Sequence, residues 1–557
     1  MTRQANRKRT LSGFALLCLL GVSFFCAPPQ VLQADVLRLA YPVQPKSLDP
    51  HQYPPDPASW PIVMTCYRRL FDLKAGTSEI EAVDSAAATY RVSDDGLVYT
   101  IILQEGRTFT DGTPVDSQAV LFSFDRLMAT QTGKQHFPYL KYMEIVGPYT
   151  FRFRLTRPWP PFLASLTLPM ASLVSPGVTA RGSGFLNRGT AGSGRFEVEE
   201  YKPNQINLRI RLDAPSAPKL DRAEFLYEPD PTARADLVAS GRAHLAFDAL
   251  AGNLSPSAPA PKPRRDEAAA ALEALPPTYV QLMVPGFQTR FLAFNMTRPY
   301  LKMIGVREAI AGLARIALLS PYQEGRPGLV LPTGLAPTTG ALEETPLDRA
   351  EETAGELLAQ LGPSRIPLDL AYFSDDQNGR ADAELLAQKL SAYGLSARLV
   401  PLTGAHGQGL LEKADWDLLL AFRQPDIPSP EMWLGRFLDS RASVASNPAR
   451  FSSPQADGLI AELDAVDRRA REMSLRRLAL LAMDQKPYVM LYQKMTPVLA
   501  DVRLQGLRPH PMWPYVWPVD ETNLDPFRGF SRPAPPPPPA SEPLFKDFDD
   551  PVAEPYE

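Results

Sequence analysis

Cysteine is almost absent from this chain: three residues in 557, of which two, Cys18 and Cys26, fall within the first 26 positions. Only Cys66 lies further on, so no disulfide can brace the rest of the chain, and stability must come from burial. Histidine is equally scarce. His51, His136, His244, His406 and His510 are isolated, with no cysteine or acid at metal-ligand spacing. There is no His-Glu-x-x-His and no Gly-x-Ser-x-Gly, the arrangements that carry zinc hydrolysis and serine acyl transfer. The glycine-rich stretch 189–194 lacks the Lys-Ser/Thr of a phosphate loop and leads into a strand-like segment, so it reads as a sharp backbone turn. A basic excess is missing too. The formal charge is −4, which gives phosphate backbones nothing to be drawn to and excludes nucleic acid as the main partner. No enzyme class, cofactor or metal is expected on these grounds.

What is present begins at the N-terminus. Arg3, Arg7, Lys8 and Arg9 precede an apolar run from Leu11 to Cys26, followed by Val31-Leu-Gln-Ala34. This is the layout of a cleavable secretory leader, with processing after Ala34. The run is shorter than the roughly 20 residues of a spanning helix. Phe25 before Cys26 is too large for the position ahead of a lipidated cysteine. Residues 1–34 are therefore expected to be a signal peptide and the rest to reside in a periplasm. Loss of the four basic leader residues brings the formal charge to about −8. The remaining chain of about 520 residues exceeds what one core supports, roughly 250–300 residues, and implies two or more lobes.

Hydrophobic periodicity then orders the chain. Tyr149, Phe151, Phe153 and Leu155 alternate with Thr150, Arg152 and Arg154, which predicts a half-buried strand, and 206–212 repeats the pattern. Asp111-Gly112 signals a turn. Beyond it a helix is predicted with Asp116 as its cap and Val120, Phe124 and Leu127 on its buried face. Residues 251–277 turn rich in Pro, Ala and Ser and read as a surface insertion or linker. After it, a helix at 349–361, a strand at 367–373, a helix at 382–393 and a strand at 395–402 compose an α/β crossover unit. From Ser531 the chain is Pro-rich and acidic and is expected to remain disordered.

Six segments, in order, resemble one family. They are Leu37–Tyr41 with Ser47-Leu-Asp-Pro50; Phe109-Thr-Asp-Gly-Thr-Pro114 with Val120-Leu-Phe-Ser-Phe124; Gly189–Phe196; Phe291–Asn295; Val306–Ile310; and Trp416–Leu420 with Pro425-Asp-Ile-Pro-Ser-Pro430. Together they are similar to the extracellular solute-binding proteins of family 5, which include the oligopeptide- and dipeptide-binding proteins of ABC transporters. The resemblance implies an α/β, two-lobed periplasmic-binding-protein (Venus-flytrap) fold with mixed sheets. The first lobe would be discontinuous, 35–275 with an extra subdomain at about 50–185, and completed by a return segment at 490–530. The second would be 276–489.

By the same resemblance the ligand is a small peptide or peptide-like solute enclosed between the lobes and passed to an inner-membrane ABC permease, and the protein is a monomer. Aligning 425–433 with the family's second-lobe loop puts Asp426 where an aspartate pairs with the ligand's α-amino group; capping a turn between prolines is the alternative. Arg423 is a candidate to accept a ligand carboxylate or to neutralise Asp426. Trp433, Trp60 and Tyr53 are candidates to wall the cleft or to pack in a core. The chain departs from the family at His244, at Cys66-Tyr-Arg-Arg-Leu70, in the Pro-rich insertion and in the tail. A carrier of a non-peptide solute, and an envelope sensor or scaffold on the same fold, are the alternatives.

Overall fold

The computed structural model describes residues 36–524 apart from 53, 74–79, 83–84, 183, 212–219, 250–278, 320–346, 361–365, 375, 377–378, 425–426, 428, 507–508, 511, 518 and 520–521. The leader, the 251–277 insertion and the tail lie outside the described residues. So do Tyr53 and Asp426.

In chain order, β1 (Val36–Tyr41) opens the fold, and a two-residue pair, β2 (Asp72–Leu73) and β3 (Ile80–Glu81), precedes a separate sheet. That sheet holds β4 (Ala87–Val92), β5 (Val98–Leu103), β6 (Leu140–Gly147) and β7 (Thr150–Leu155), in the spatial order β4-β5-β7-β6 and antiparallel throughout. The alternation read from 149–155 is realised in β7. Phe151, Phe153 and Leu155 are buried, and the intervening residues face outward. Against this sheet lies the helix Ser117–Met128. Asp116 caps it by accepting from the Ala119 N–H at 2.9 Å, and Val120, Phe124 and Leu127 are buried. Edge-to-face contacts of Phe124 with Phe137 and Phe153, and of Phe153 with Phe162, fill the space between.

The turn before that helix is closed by polar side chains. Gly112 has φ +81°, a conformation that costs glycine nothing and other residues about 1 kcal/mol or more. The Asp111 carboxylate accepts from the Thr113 N–H at 3.1 Å and the Ser175 hydroxyl at 2.6 Å. Buried Arg211 gathers the carbonyls of Thr108, Phe109 and Gly194 at 3.0–3.1 Å. Gly194 is pressed against the chain at Thr65 and Cys66: a Cβ there would lie 2.5 Å from backbone atoms of both. The 189–194 stretch is thus a close-approach turn.

The remaining strands are β8 (Phe196–Lys202), β9 (Gln205–Ile210), β10 (Arg222–Tyr227), β11 (Leu245–Phe247), β12 (Tyr279–Phe294), β13 (Ile366–Phe373), β14 (Leu395–Leu402), β15 (Leu418–Arg423) and β16 (Tyr488–Asp501). With β1 they make one mixed ten-stranded sheet, in the order β14-β13-β15-β12-β16-β11-β1-β10-β9-β8. β13 and β14 run parallel and are joined by the helix Gly379–Ser391, the right arrangement for a crossover unit. Leu386 and Leu390 pin that helix to the sheet.

Two long antiparallel strands, β12 and β16, join the halves of this sheet, and the apolar core changes hands along them. Val284, Val498 and Ala500 belong to a core with Leu37, Leu39, Phe225 and Phe247. Leu292, Phe294, Val489 and Leu491 belong to another with Ile310, Leu370 and Leu386. Between the two, the pairing of β12 with β16 shifts register twice, at Pro285/Thr289 and at Arg290/Phe291. Each core can thus hold its own half of the strand pair, with an irregular ladder in between.

Candidate functional site

A cavity of about 250 Å³ sits at this changeover. Its walls come from five separate stretches: Asp248 after β11, Gly286 and Gln288 in β12, Gln424 after β15, Thr496 in β16, and Met512, Pro514 and Tyr515 in the C-terminal return segment. The ends of a first-lobe strand and a second-lobe strand thus face one space, floored by the two strands that cross between lobes. Such strand-end crevices are where open α/β sheets place ligands.

Each wall is held by contacts outside the cavity. Asp248 adopts φ +50°. Buried Arg234 fixes that turn by donating to the carbonyls of Phe247 and Asp248, both at 2.7 Å. Gln424 donates from Nε2 to the Met512 carbonyl at 2.9 Å, which ties the second-lobe strand end to the return segment. Tyr41 donates its hydroxyl to the Tyr515 carbonyl at 2.9 Å and stacks on Phe247 at 4.3 Å. The close seat of Pro514 is allowed by Gly286, where a Cβ would come 3.0 Å from the proline ring.

The electrostatics keep the aromatic side of the wall uncharged. Burial, with Asp56 and Asp248 adding to it, holds the Tyr515 phenol well above its usual range, so it stays protonated and can donate. Behind it, burial and the Arg69 guanidinium depress His510 to about 3. Neutral His510 therefore accepts, at Nδ1, the N–H groups of Met512 at 3.2 Å and Trp513 at 3.4 Å, and its ring stacks on Trp513 at 4.5 Å. This small aromatic block carries the return loop into the cavity wall.

The residues singled out from sequence are placed as follows. Trp60 opens the helix Trp60–Cys66 and meets Trp513 edge-to-face at 4.9 Å, so it stands one side chain behind the wall. Arg423 ends β15 beside Gln424. Its guanidinium lies over the Phe437 ring at 4.5 Å and donates to the Ser446 carbonyl at 2.8 Å. Trp433 lies on the helix Pro430–Leu438, whose N-terminus is capped by Ser429, and its side chain is outside the described ones. Asp426 falls in the chain between Gln424, a wall residue, and Ile427, which is buried in the core of the β4–β7 subdomain. Sequence reasoning passed over Asp248, Gln288, Thr496 and the Met512–Tyr515 turn. The run His510-Pro-Met-Trp-Pro-Tyr-Val-Trp517, dense in aromatics and proline, was the available signal for the last of these. Among the described residues no group of three or more histidines, cysteines or acids is spaced to hold a metal, and no helix is long and apolar enough to cross a membrane.

Two lobes joined by crossing strands with a solute-sized cavity at the crossing define a ligand-capturing protein of the periplasmic-binding type. The chain belongs to the bacterial extracellular solute-binding proteins, family 5, whose middle-region profile matches residues 81–444. It is similar to the probable D,D-dipeptide-binding periplasmic protein DdpA of Escherichia coli K12, with 24% identity over 527 residues covering 91% of this chain and 97% of the relative. The glutathione-binding protein GsiB of Shigella dysenteriae is also 24% identical, over 78% of this chain and 84% of its own length. Among solved structures, HbpA2 from Haemophilus parasuis superposes with a TM-score of 0.74 at 19% identity, covering 88% of this chain and all of its own. The α/β two-lobed architecture expected from sequence is therefore the fold of this chain.

Proposed function

We propose that the chain captures short peptides or peptide-like solutes in the cavity between its lobes and hands them to an inner-membrane ABC permease, catalysing nothing itself. The observation that carries this reading is the cavity's construction. Asp248 and Gln424 stand at strand ends on opposite sides of the β12–β16 crossing, so one bound solute touches both sides at once. Contacts of that kind favour whichever arrangement brings the two sides together. Relatives named for D,D-dipeptide and glutathione binding support a peptide-like ligand. In this reading the protein works as a monomer in the periplasm after its leader is removed. The lobes divide as 35–275 with 490–530, and 276–489, and the bending zone is the pair of stretches 285–291 and 490–495.

Asp426 takes the ligand's α-ammonium in the same reading, Arg423 steadies that loop, and Trp60, Trp433 and Tyr53 back the cleft. A carboxylate–ammonium bond of this kind contributes roughly 1.5–3 kcal/mol. The test is native mass spectrometry of the protein purified from its own envelope, followed by mild denaturation to release what is bound. A released peptide that no longer co-purifies with Asp426→Ala supports both the carrier and the amine anchor. A peptide retained by the variant keeps the carrier and removes the anchor. No released ligand, together with no thermal shift across a peptide library, removes the peptide reading.

A further inference from the structure

We infer that the contact of Asp464 and Val466 with Arg157 and Gly96 is a clasp that draws the second lobe onto the β4–β7 subdomain before any solute is bound. This rests on the solute-capture reading, in which the lobes move, and adds to it what sets their resting position.

The two bodies have separate cores. The β4–β7 sheet packs around Phe124, Phe153 and Phe162. The helix Arg468–Gln485 packs instead through Leu475 and Leu478 into a core with Phe291 and Leu419 of the ten-stranded sheet. The loop before that helix reaches across. Asp464 accepts from Nη2 of Arg157 at 3.1 Å. Beside it, Val466 closes on the turn between β4 and β5: a Cβ on Gly96 would lie 2.8 Å from Val466 Cγ2 and 3.3 Å from Pro158 Cβ. None of these residues lines the cavity, so the contact needs no solute between the lobes. A second seat lies beside the cavity, where Ile427 from the loop after β15 is 1% exposed within the subdomain core.

Both sides of the clasp are braced from within their own body. Arg471 donates from Nη1 to the Ala465 and Val466 carbonyls at 2.8 and 2.7 Å, which fixes the loop. The Arg157 guanidinium lies over the Tyr139 ring at 4.1 Å, and Tyr139 meets buried Trp159 edge-to-face at 5.8 Å. Surfaces already shaped lose little freedom when they meet. The ion pair itself is 49% and 37% exposed, and a pair so open to water is weak. That strength biases the lobes towards each other without locking them. The fraction closed beforehand then scales the apparent affinity for any solute that prefers the closed arrangement.

Spin labels on cysteines placed at Val146 in β6 and at Leu385 in the helix Gly379–Ser391, both exposed, report the separation of subdomain and second lobe. Cys66 is buried and stays unlabelled. The exported form, stripped of resident solute by denaturation and refolding, is measured by electron–electron dipolar spectroscopy. A short-distance population is expected without any added solute. Asp464→Arg places like charges together at an exposed position and should lower the ratio of short to long distances at least threefold, roughly the worth of one exposed pair turned to repulsion. Adding Arg157→Asp to that variant should restore the ratio to within twofold. The same samples are then measured with Gly-Leu and with glutathione. A distribution that the variants leave unchanged, but that either solute shortens, overturns the clasp while solute capture stands. A distribution moved by neither variants nor solutes overturns the clasp and takes the lobe movement out of the capture reading as well.

Discussion

Lowering the pH from 7.5 to 5.0 should destabilise this protein through its buried histidines, and His244 is where the effect can be isolated. His244 is 6% exposed. Its Nδ1 accepts the Arg38 N–H at 3.0 Å, its own N–H reaches the Arg38 carbonyl at 2.8 Å, and its carbonyl accepts from Asp501 at 2.8 Å. An Nδ1 used as acceptor carries no proton, so the ring is neutral in the fold. Burial depresses it to about 4, with Arg503 and Arg38 pushing the same way against Asp501. The unfolded chain takes up this proton near pH 6.5, whereas the fold takes it up only near 4. The stability is therefore fully present above about 6.5 and is lost progressively as pH falls towards 4. At pH 5.0 the unfolded side chain lies 1.5 units below its pKa, which at 1.36 kcal/mol per unit is a loss of about 2 kcal/mol. His244→Asn keeps the bond to Arg38, because the asparagine Oδ1 takes the place of Nδ1, and removes the titration. Urea unfolding followed by far-UV circular dichroism at the two pH values should show the wild type losing about 2 kcal/mol more than the variant. Equal losses in the two proteins would refute the reasoning.

Two further substitutions probe the second lobe and the turn under the first. Arg290, fully buried on β12, bonds Asp382 at 2.6 and 3.0 Å, pairs with Asp376 and lies over Phe422 at 4.4 Å, while Tyr492 also donates to Asp382 at 2.6 Å. Arg290→Met leaves a buried carboxylate without its cation and should cost about 3–5 kcal/mol in chemical denaturation; Arg290→Met with Asp382→Asn should recover part of that, and a loss below 1 kcal/mol in the single variant would show the network to be idle. Gly194→Ala drives a Cβ into the backbone of Thr65 and Cys66 and should lower stability by about 1–3 kcal/mol, read as a drop in thermal midpoint; an unchanged midpoint would mean the turn is free to move.

The class of fold was readable because its signals are local. Alternation in 149–155 became β7, Asp116 became a cap, and the spacing from 367 to 402 became a parallel crossover. The Phe109–Pro114 motif was legible for a physical reason: a positive-φ glycine and an aspartate bonding its own turn cannot be exchanged freely. The cavity was not readable in the same way. Its walls are drawn from 248, 286–288, 424, 496 and 512–515, and no periodicity links residues that distant. Arg290 and Asp382 were equally silent, since a charged residue on a strand and another on a helix look solvated until the sheet brings them together. Hydropathy does dip at the changeover, through Gln288, Thr289 and Arg290 on β12 and Gln493 and Lys494 on β16, but a polar interruption in each of two distant segments does not say that they pair or that their register breaks there.

That register break also lies at the cavity. Regular pairing resists bending, so distortion of a strand pair concentrates where the ladder is already irregular, at 285–291 opposite 490–495. Gly286 and Gln288 lie in that stretch, Thr496 borders it, and all three line the cavity, so a solute seated there touches the irregular ladder. It also spans Asp248 on one side and Gln424 on the other, and Gln424 is already bonded to Met512 of the return segment. A ligand can shift such an equilibrium only by its difference in affinity between arrangements, and a molecule held from both strand ends has that difference built in. If the chain captures a solute as proposed, filling the cavity and setting the angle between the lobes become one event.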